Sequence, residues 1–300
     1  MSQIRQAKRP PIKRYITDPL EGIAVGMVCF ILWVLPLSVA RSMGKGIGSL
    51  IYYVARWRNQ IALKNMSVGL PDKTDADKKI ILKRMWQHFG MLFAESAHGK
   101  QVLAQSHPVN MDMLREAQKA GKGGFICTAH FGGWEFDVAS LVGPDFHMNP
   151  VYRKANNPWL NKMLFERRTG VKIPKGTAGA RLMLETLNKG DFIAILCDQK
   201  LREGMEVPFF GKPAMTATAM VSLSIKKGAP IYMVKGVRGK DNIYTFSVEQ
   251  KIKIPENLSY QDTLKAVMTD VNNIYWSWIK QNPEQYLWIH RRFEKSFYEK

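Results

Sequence analysis

The chain reads as an α/β protein, with a central, mostly parallel sheet flanked by helices and an apolar N-terminal helix ahead of it. Three observations lead there. From residue 123 onward, short apolar runs alternate with segments of helical periodicity, the pattern of crossover units around a parallel sheet. Residues 23–40, "IAVGMVCFILWVLPLSVA", are eighteen residues without a charge, just the length of a bilayer span. Between these two regions the chain is amphipathic with helical spacing. Its 300 residues suffice for one large domain with a full core.

The elements follow in order. Residues 1–22 form a basic segment, residues 23–40 a membrane-anchor helix and residues 41–300 the main domain. A cleaved signal peptide or a buried core helix competes for residues 23–40, but the run is long for a signal and "VARSMGKG" is a poor cleavage site. Arg5, Lys8, Arg9, Lys13 and Arg14 precede the run, and Arg41, Lys45, Arg56 and Arg58 follow it, so positive charge assigns no orientation. Gly26 and Pro36 weaken the helix, which leaves an interfacial helix open. Trp33, Tyr52, Tyr53 and Trp57 fit headgroup depth or an ordinary core. Apolar spacing then makes "GIGSLIYYVARWRNQIALKNMSVGLP" helical up to Gly69 and Pro71. In "TDADKKIILKRMWQHFGMLFAESA", Thr74 and Asp75 are cap candidates for a second amphipathic helix.

The strand candidates are "GGFICTA", "NPVYR", "DFIAILCD", "APIYMVKGVR" and "NIYTFSVEQKIKI". Helices are expected directly after the first of these and over residues 158–169, 178–187, 214–226 and 261–281. Lys and Arg number 44 against 25 Asp and Glu, a formal +19, so anionic partners are favoured: nucleic acid, lipid headgroups or an acidic carrier protein. The basic residues are scattered rather than gathered in one stripe, which argues against a nucleic-acid module. Cys29, Cys127 and Cys197 lie in apolar runs without paired spacing, so they read as packing residues in a reducing compartment, and no metal site is expected. No G-x-S-x-G elbow for a serine hydrolase is present.

Chemistry concentrates in residues 123–140, "GGFICTAHFGGWEFDVAS". A histidine at the carboxyl end of a strand sits where ligands bind in open α/β sheets. Glu135 lies five residues beyond His130, and Gly132 and Gly133 give the backbone freedom to bring the two together. A carboxylate beside the ring fixes its tautomer and supports the imidazolium, as a general base requires. The spacing alone is weak, since His107 and Asp112 repeat it; there Asn110 reads as a helix cap and Asp112 as a first-turn acid. Asp137 reads as a solvated or helix-stabilising residue.

"AHFGGWE" resembles the H-x4-D/E signature of the lipid A late acyltransferase family, the lauroyl and myristoyl transferases of Gram-negative inner membranes. The resemblance runs in order through "RNQIALKNMSVGLP", "VYRKANNPWLNKMLFERRTG", "CDQKLREGMEVPFFGKPAMTATAMVSLSIKKGAPI" and "NPEQYLWIHRRF". It implies a glycerolipid-acyltransferase-like fold with His130 as general base and Glu135 as its partner. It also implies Arg168 and Asp198 as site residues that contact substrate, with Arg153 a further candidate of the same kind. Arg168 can fork onto a phosphate or steady an oxyanion; a helix-end cation is its plainer reading, and Arg167 could exchange roles with it. Asp198 can hold a basic side chain or a sugar hydroxyl, or simply cap a strand end. "VPFFG" suggests an apolar lining for an acyl chain. The second glycine of "HFGGWE" stands where asparagine is frequent in similar proteins, which leaves the dyad intact.

The expected activity is O-acyl transfer from an acyl thioester, by resemblance acyl-acyl carrier protein, to a hydroxyl of a lipid A precursor. The expected place is the bacterial inner membrane, with the site at its cytoplasmic face. No cofactor is expected, because phosphopantetheine arrives with the donor. The rivals are another anionic glycolipid or a lysophospholipid as acceptor, acyl-CoA as donor, and a basic membrane or nucleic-acid binding protein without catalysis.

Overall fold

The computed structural model describes residues 12–152, 155–162, 170–174 and 176–299. Arg153, Arg167 and Arg168 lie outside the described residues, as do residues 1–11 of the basic segment.

Four helices open the chain: α1 Asp18–Val34, α2 Leu37–Val54, α3 Arg56–Gly69 and α4 Asp75–Ser96, followed by the short α5 Gly99–Ala104. The alternating region holds β1 His107–Val109, α6 Asp112–Lys119, β2 Phe125–Thr128, α7 Ala139–Val142, β3 Met148–Tyr152, α8 Pro158–Leu160, β4 Ile173–Pro174, α9 Thr177–Asn188 and β5 Phe192–Leu196. Then come β6 Met205–Phe209, β7 Lys212–Thr216, α10 Ala219–Lys227, β8 Ile231–Arg238, β9 Tyr244–Lys251, α11 Tyr260–Gln281 and α12 Lys295–Glu299.

Seven strands form one sheet in the order β1-β9-β8-β2-β5-β3-β4, parallel throughout except for the β8–β9 pair. The α/β expectation therefore holds. Alternate side chains of the central strands enter two separate cores. Phe125, Cys127, Ile193, Ile195, Ile231 and Met233 join a large cluster with α3, α4 and α11, whereas Ile126, Phe192, Tyr232 and Val234 join a second with α6 and α7. Burial on both faces explains why these strands read as unbroken apolar runs.

The apolar run of residues 23–40 is not one helix. Leu35 is extended (φ −71°, ψ 147°) because the Pro36 ring disfavours helical backbone in the residue before it. The helix long and apolar enough to cross a membrane is instead residues 15–34, and it is mostly exposed. Trp33, Tyr53 and Trp57 are exposed, while Tyr52 packs against the core. The second helix begins as the sequence suggests: Thr74 and Asp77 form a reciprocal capping box at the start of α4.

Three other expectations change. Ala214 to Thr216 belong to a strand, because "MEVPFFGKPAMT" is the β6–β7 hairpin and the helix starts only at Ala219. The two-residue loop Phe210-Gly211 has positive φ at both positions (54° and 74°), which suits the twist of a hairpin. Val207, Phe209 and Phe210, which the sequence suggested as an acyl-chain lining, are buried core residues, Phe210 packing against Trp276 and Trp288. His107 lies on an edge strand, and Asn110 caps nothing through its side chain: it takes φ 58° and donates to the Val248 carbonyl. Asp112 pairs with Arg115 at 2.7 Å.

Helices α2 and α4 touch backbone to backbone. A Cβ added at Gly44 would strike the Gly90 carbonyl, one at Gly48 the Trp86 carbonyl, and one at Gly90 the Gly44 carbonyl. Gly48→Leu should therefore lower the thermal midpoint through a loss of about 1–3 kcal/mol or more. Gly46→Ala, on the open side of the same helix, should be neutral or raise it. Equal melting of both variants would contradict the close packing.

Candidate active site

Strands β2 and β5 are parallel neighbours in register, with Thr128 opposite Leu196. Their carboxyl ends therefore stop level, and His130 and Asp198, each two residues past its strand, emerge side by side. Asp198 Oδ1 lies 2.9 Å from His130 Nδ1, Oδ2 lies 3.1 Å from it, and Oδ2 also accepts the His130 backbone N–H at 3.2 Å. The Asp198 side chain is 2% exposed and the His130 side chain 21%, so the ring can be reached from outside and its carboxylate cannot.

Burial on its own would raise the Asp198 carboxyl. The His130 ring beside it and the hydrogen bonds it accepts outweigh that and hold it below the usual carboxylate range. An ionised Asp198 makes Nδ1 the protonated nitrogen and leaves the lone pair on Nε2. Gln199 meets Nε2 at 3.1 Å through its amide nitrogen, a donor that fits this tautomer.

The carboxylate that fixes the His130 tautomer is thus Asp198 of the neighbouring strand, a role the sequence assigns to Glu135. Glu135 is half-buried in the turn after His130 and makes interactions of its own. The helix expected after β2 is a run of turns that becomes α7 at Ala139, where Asp137 accepts the Ala139 N–H at 3.1 Å.

That turn is tightly specified. Gly132 has φ 56°, and a Cβ there would overlap the Gly236 carbonyl. Its N–H donates to Gln285 O, the Gly133 N–H to Gly236 O, and the Leu287 N–H to His130 O. The Gln285 side chain clasps the backbone of Arg238 with both amide atoms. From the far side His88, on α4, reaches the Gly132 carbonyl through Nε2 at 3.2 Å, while its Nδ1 accepts from Arg238 Nε at 3.3 Å. Arg238 in turn forks onto Glu95, which also binds Arg41 and Tyr244, so one buried ionic cluster ties α2, α4, β8 and β9 to the His130 turn.

Sequence reasoning assigned no role to Gln199, Tyr286, Arg292 or His88. Tyr286 is buried near Asp198, and burial, with the Asp198 charge adding and Arg292 opposing, pushes its phenol well above the tyrosine range. It therefore stays a proton donor. Arg292 is buried near this carboxylate, donates to Met215 O and Thr216 Oγ1, and covers the Phe209 ring. The His290 and Trp134 rings each stand 5.6 Å from the His130 ring. The signal available was the density of polar and aromatic residues in "QYLWIHRR" and the adjacency in "DQ". The candidates Arg153 and Arg168 lie outside the described residues. Among the described residues no three His, Cys, Asp or Glu gather to hold a metal ion.

Residues 13–295 match the family described as bacterial lipid A biosynthesis acyltransferase. The lipid A biosynthesis palmitoleoyltransferase of Escherichia coli K12 is 28% identical over 275 residues, 88% of each chain. The lauroyltransferase of the same organism is 25% identical over 295 residues, covering 92% of this chain and 91% of its own. A phosphatidylinositol mannoside acyltransferase of Mycolicibacterium smegmatis is 25% identical over 242 residues, covering 75% and 76%.

Burial and the Arg238 charge lower His88 to about 3, so the folded protein keeps it neutral. Its folded value lies below its unfolded value near ~6.5, so stability is complete above that and is lost as the pH falls toward 3. In thermal melts from pH 7 to pH 4, the midpoint of the wild type should fall more steeply than that of His88→Gln. Parallel pH curves would remove the buried neutral histidine.

Proposed function

We propose, from the premise that this chain belongs to the bacterial lipid A biosynthesis acyltransferase family, that it is a membrane-bound O-acyltransferase. In this reading it moves a fatty acyl chain from acyl-acyl carrier protein to a hydroxyl of a lipid A precursor. The observation that carries the mechanism is the pairing of His130 Nδ1 with the buried Asp198, which leaves Nε2 as the basic atom of an accessible ring.

The acceptor hydroxyl takes the place of the Gln199 amide at Nε2. As its oxygen bonds to the thioester carbonyl carbon, the hydroxyl proton passes to Nε2 and the carbonyl oxygen becomes an oxyanion. Asp198 supports the imidazolium, with Tyr286 buried near it. The carbon–sulfur bond then breaks, the ester forms, and the imidazolium returns its proton to the leaving thiolate. Phosphopantetheine enters only as part of the donor. The resemblance gives Glu135 a role beside His130, and gives Arg168, with Arg153 as a weaker member, contact with substrate. Arg168 is the candidate for the oxyanion or a phosphate.

The exposed apolar helix of residues 15–34 supports attachment to the bacterial inner membrane, with the site on the cytoplasmic side where acyl carrier protein is found. The net charge of +19 suits both an acidic carrier protein and lipid phosphates. A second acceptor reading, a phosphatidylinositol mannoside, rests on the mycobacterial relative.

Transfer of radiolabelled acyl chain tests this. Folded His130→Ala should lose about 10²–10⁴-fold in kcat. Asp198→Asn should also lose activity with its melt at neutral pH nearly unchanged, since the amide favours the wrong tautomer. Glu135→Ala should lose transfer too. Full activity in His130→Ala would sink the mechanism. An unchanged lipid A acylation pattern in a deletion strain would move the acceptor to another glycolipid.

A further inference from the structure

Residues of α3, Arg291 and Tyr298 of α12 border an open cavity of about 490 Å³ lined by Trp57, Gln60, Ile61, Lys64, Arg291 and Tyr298. It adjoins a second of about 520 Å³, with which it shares Lys64 and which Lys212 also lines. Arg58 stacks on Trp57 at 4.1 Å, Arg291 lies over Trp57 and Tyr298 at 5.7 and 5.8 Å, and Lys212 lies over Phe297 at 5.4 Å. The Lys64 ammonium donates to the Tyr298 carbonyl at 2.9 Å.

None of these four cations has a carboxylate partner among the described residues. The acids close by are engaged elsewhere, Glu294 by Lys200 at 2.6 Å and Glu299 by Lys295 at 2.7 Å. Lys64 and Arg291 in the first cavity and Lys212 in the second are like charges that repel one another, and the low-dielectric rings beside them focus their field into the two cavities. A guanidinium stacked on an aromatic face keeps its N–H edge free to fork onto oxygen. The lining is thus a set of donors for a compact, doubly charged oxyanion.

We propose that this cavity binds a phosphomonoester, with Arg291 and Lys64 as its principal ligands. Arg291 directly follows His290, whose ring faces that of His130, so a bound phosphate would sit one residue along the chain from the reacting centre. The source is the headgroup of a phosphorylated lipid acceptor, because the phosphate that joins pantetheine to a carrier protein is a diester with a single charge. That choice rests on the acyl-transfer reading above; the site does not.

The test is calorimetric titration of the full chain in neutral detergent with dihexanoyl phosphatidic acid, and with dihexanoylglycerol as the uncharged control. The wild type should bind the phosphatidic acid saturably and the control far more weakly. Arg291→Gln and Lys64→Gln should each weaken binding about tenfold, the loss of one charge-assisted hydrogen bond, with unchanged melting and unchanged kcat. Lys212→Gln, in the adjoining cavity, should have a smaller effect. Equal affinity in the wild type and both main variants, or equal affinity for the uncharged control, overturns the proposal. A raised KM for the acyl donor in Arg291→Gln, with the KM for the acceptor unchanged, overturns the assignment to the lipid. A raised KM in the same variant for the phosphorylated but not the dephosphorylated acceptor upholds it. Phosphatidic acid binding lost in Arg291→Gln, together with no acyl transfer by the wild type, upholds the site and rejects the acyl-transfer reading.

Discussion

The contact between the His130 ring and the Asp198 carboxylate depends on one constraint, the parallel register of β2 and β5. Parallel strands bring like ends together, so two residues that lie 68 apart in the chain leave the sheet at the same level. The strands are buried on both faces, and a slip by one residue would exchange the side chains of the two cores. The packing that holds the fold together therefore also sets the distance between base and carboxylate. Asp198 is nearly inaccessible, yet the His130 ring and backbone N–H satisfy it, and a buried carboxylate persists in its ionised form only under such conditions.

A second buried charge, Glu95, does the corresponding work for the turn. Arg41, Arg238 and Tyr244 surround it, and Arg238 passes the constraint to His88 and so to the Gly132 carbonyl. Such clusters add little net stability compared with apolar packing, but removing one member strands the others at a cost of about 3–5 kcal/mol. The arrangement thus selects a single geometry. The N-terminal helices share in it, because α2 carries Arg41 and lies against α4 through Gly44, Gly48 and Gly90. The exposed apolar helix of residues 15–34 is in this way joined through packed helices to the His130 turn.

Much was legible in the chain itself. The alternation of apolar runs and helical segments, the Thr74 cap, the basic surplus and the position of His130 after "FICTA" are local patterns, and the structure bears them out. Other features were hidden by the same locality. The β6–β7 hairpin turns on Phe210 in a left-handed conformation, which is uncommon for a bulky residue and is tolerated here because its ring is packed between Trp276 and Trp288. The break at Leu35 follows from Pro36, whose effect competes with eighteen uncharged residues that otherwise favour one helix.

The sequence by itself determined the fold class, the family and the place of His130 at a strand's carboxyl end, because periodicity, composition and ordered motifs reside in neighbouring residues. Only the tertiary structure decided which carboxylate holds that histidine. Spacing along the chain offered Glu135, five residues away; the sheet delivered Asp198, because parallel neighbours in register bring residues far apart in the chain within hydrogen-bond distance. The same holds for Lys64, Lys212 and Arg291. Scattered through the sequence, these cations read as mere surplus charge, and they line adjoining cavities only because α3, the hairpin and the C-terminal segment are folded against one another.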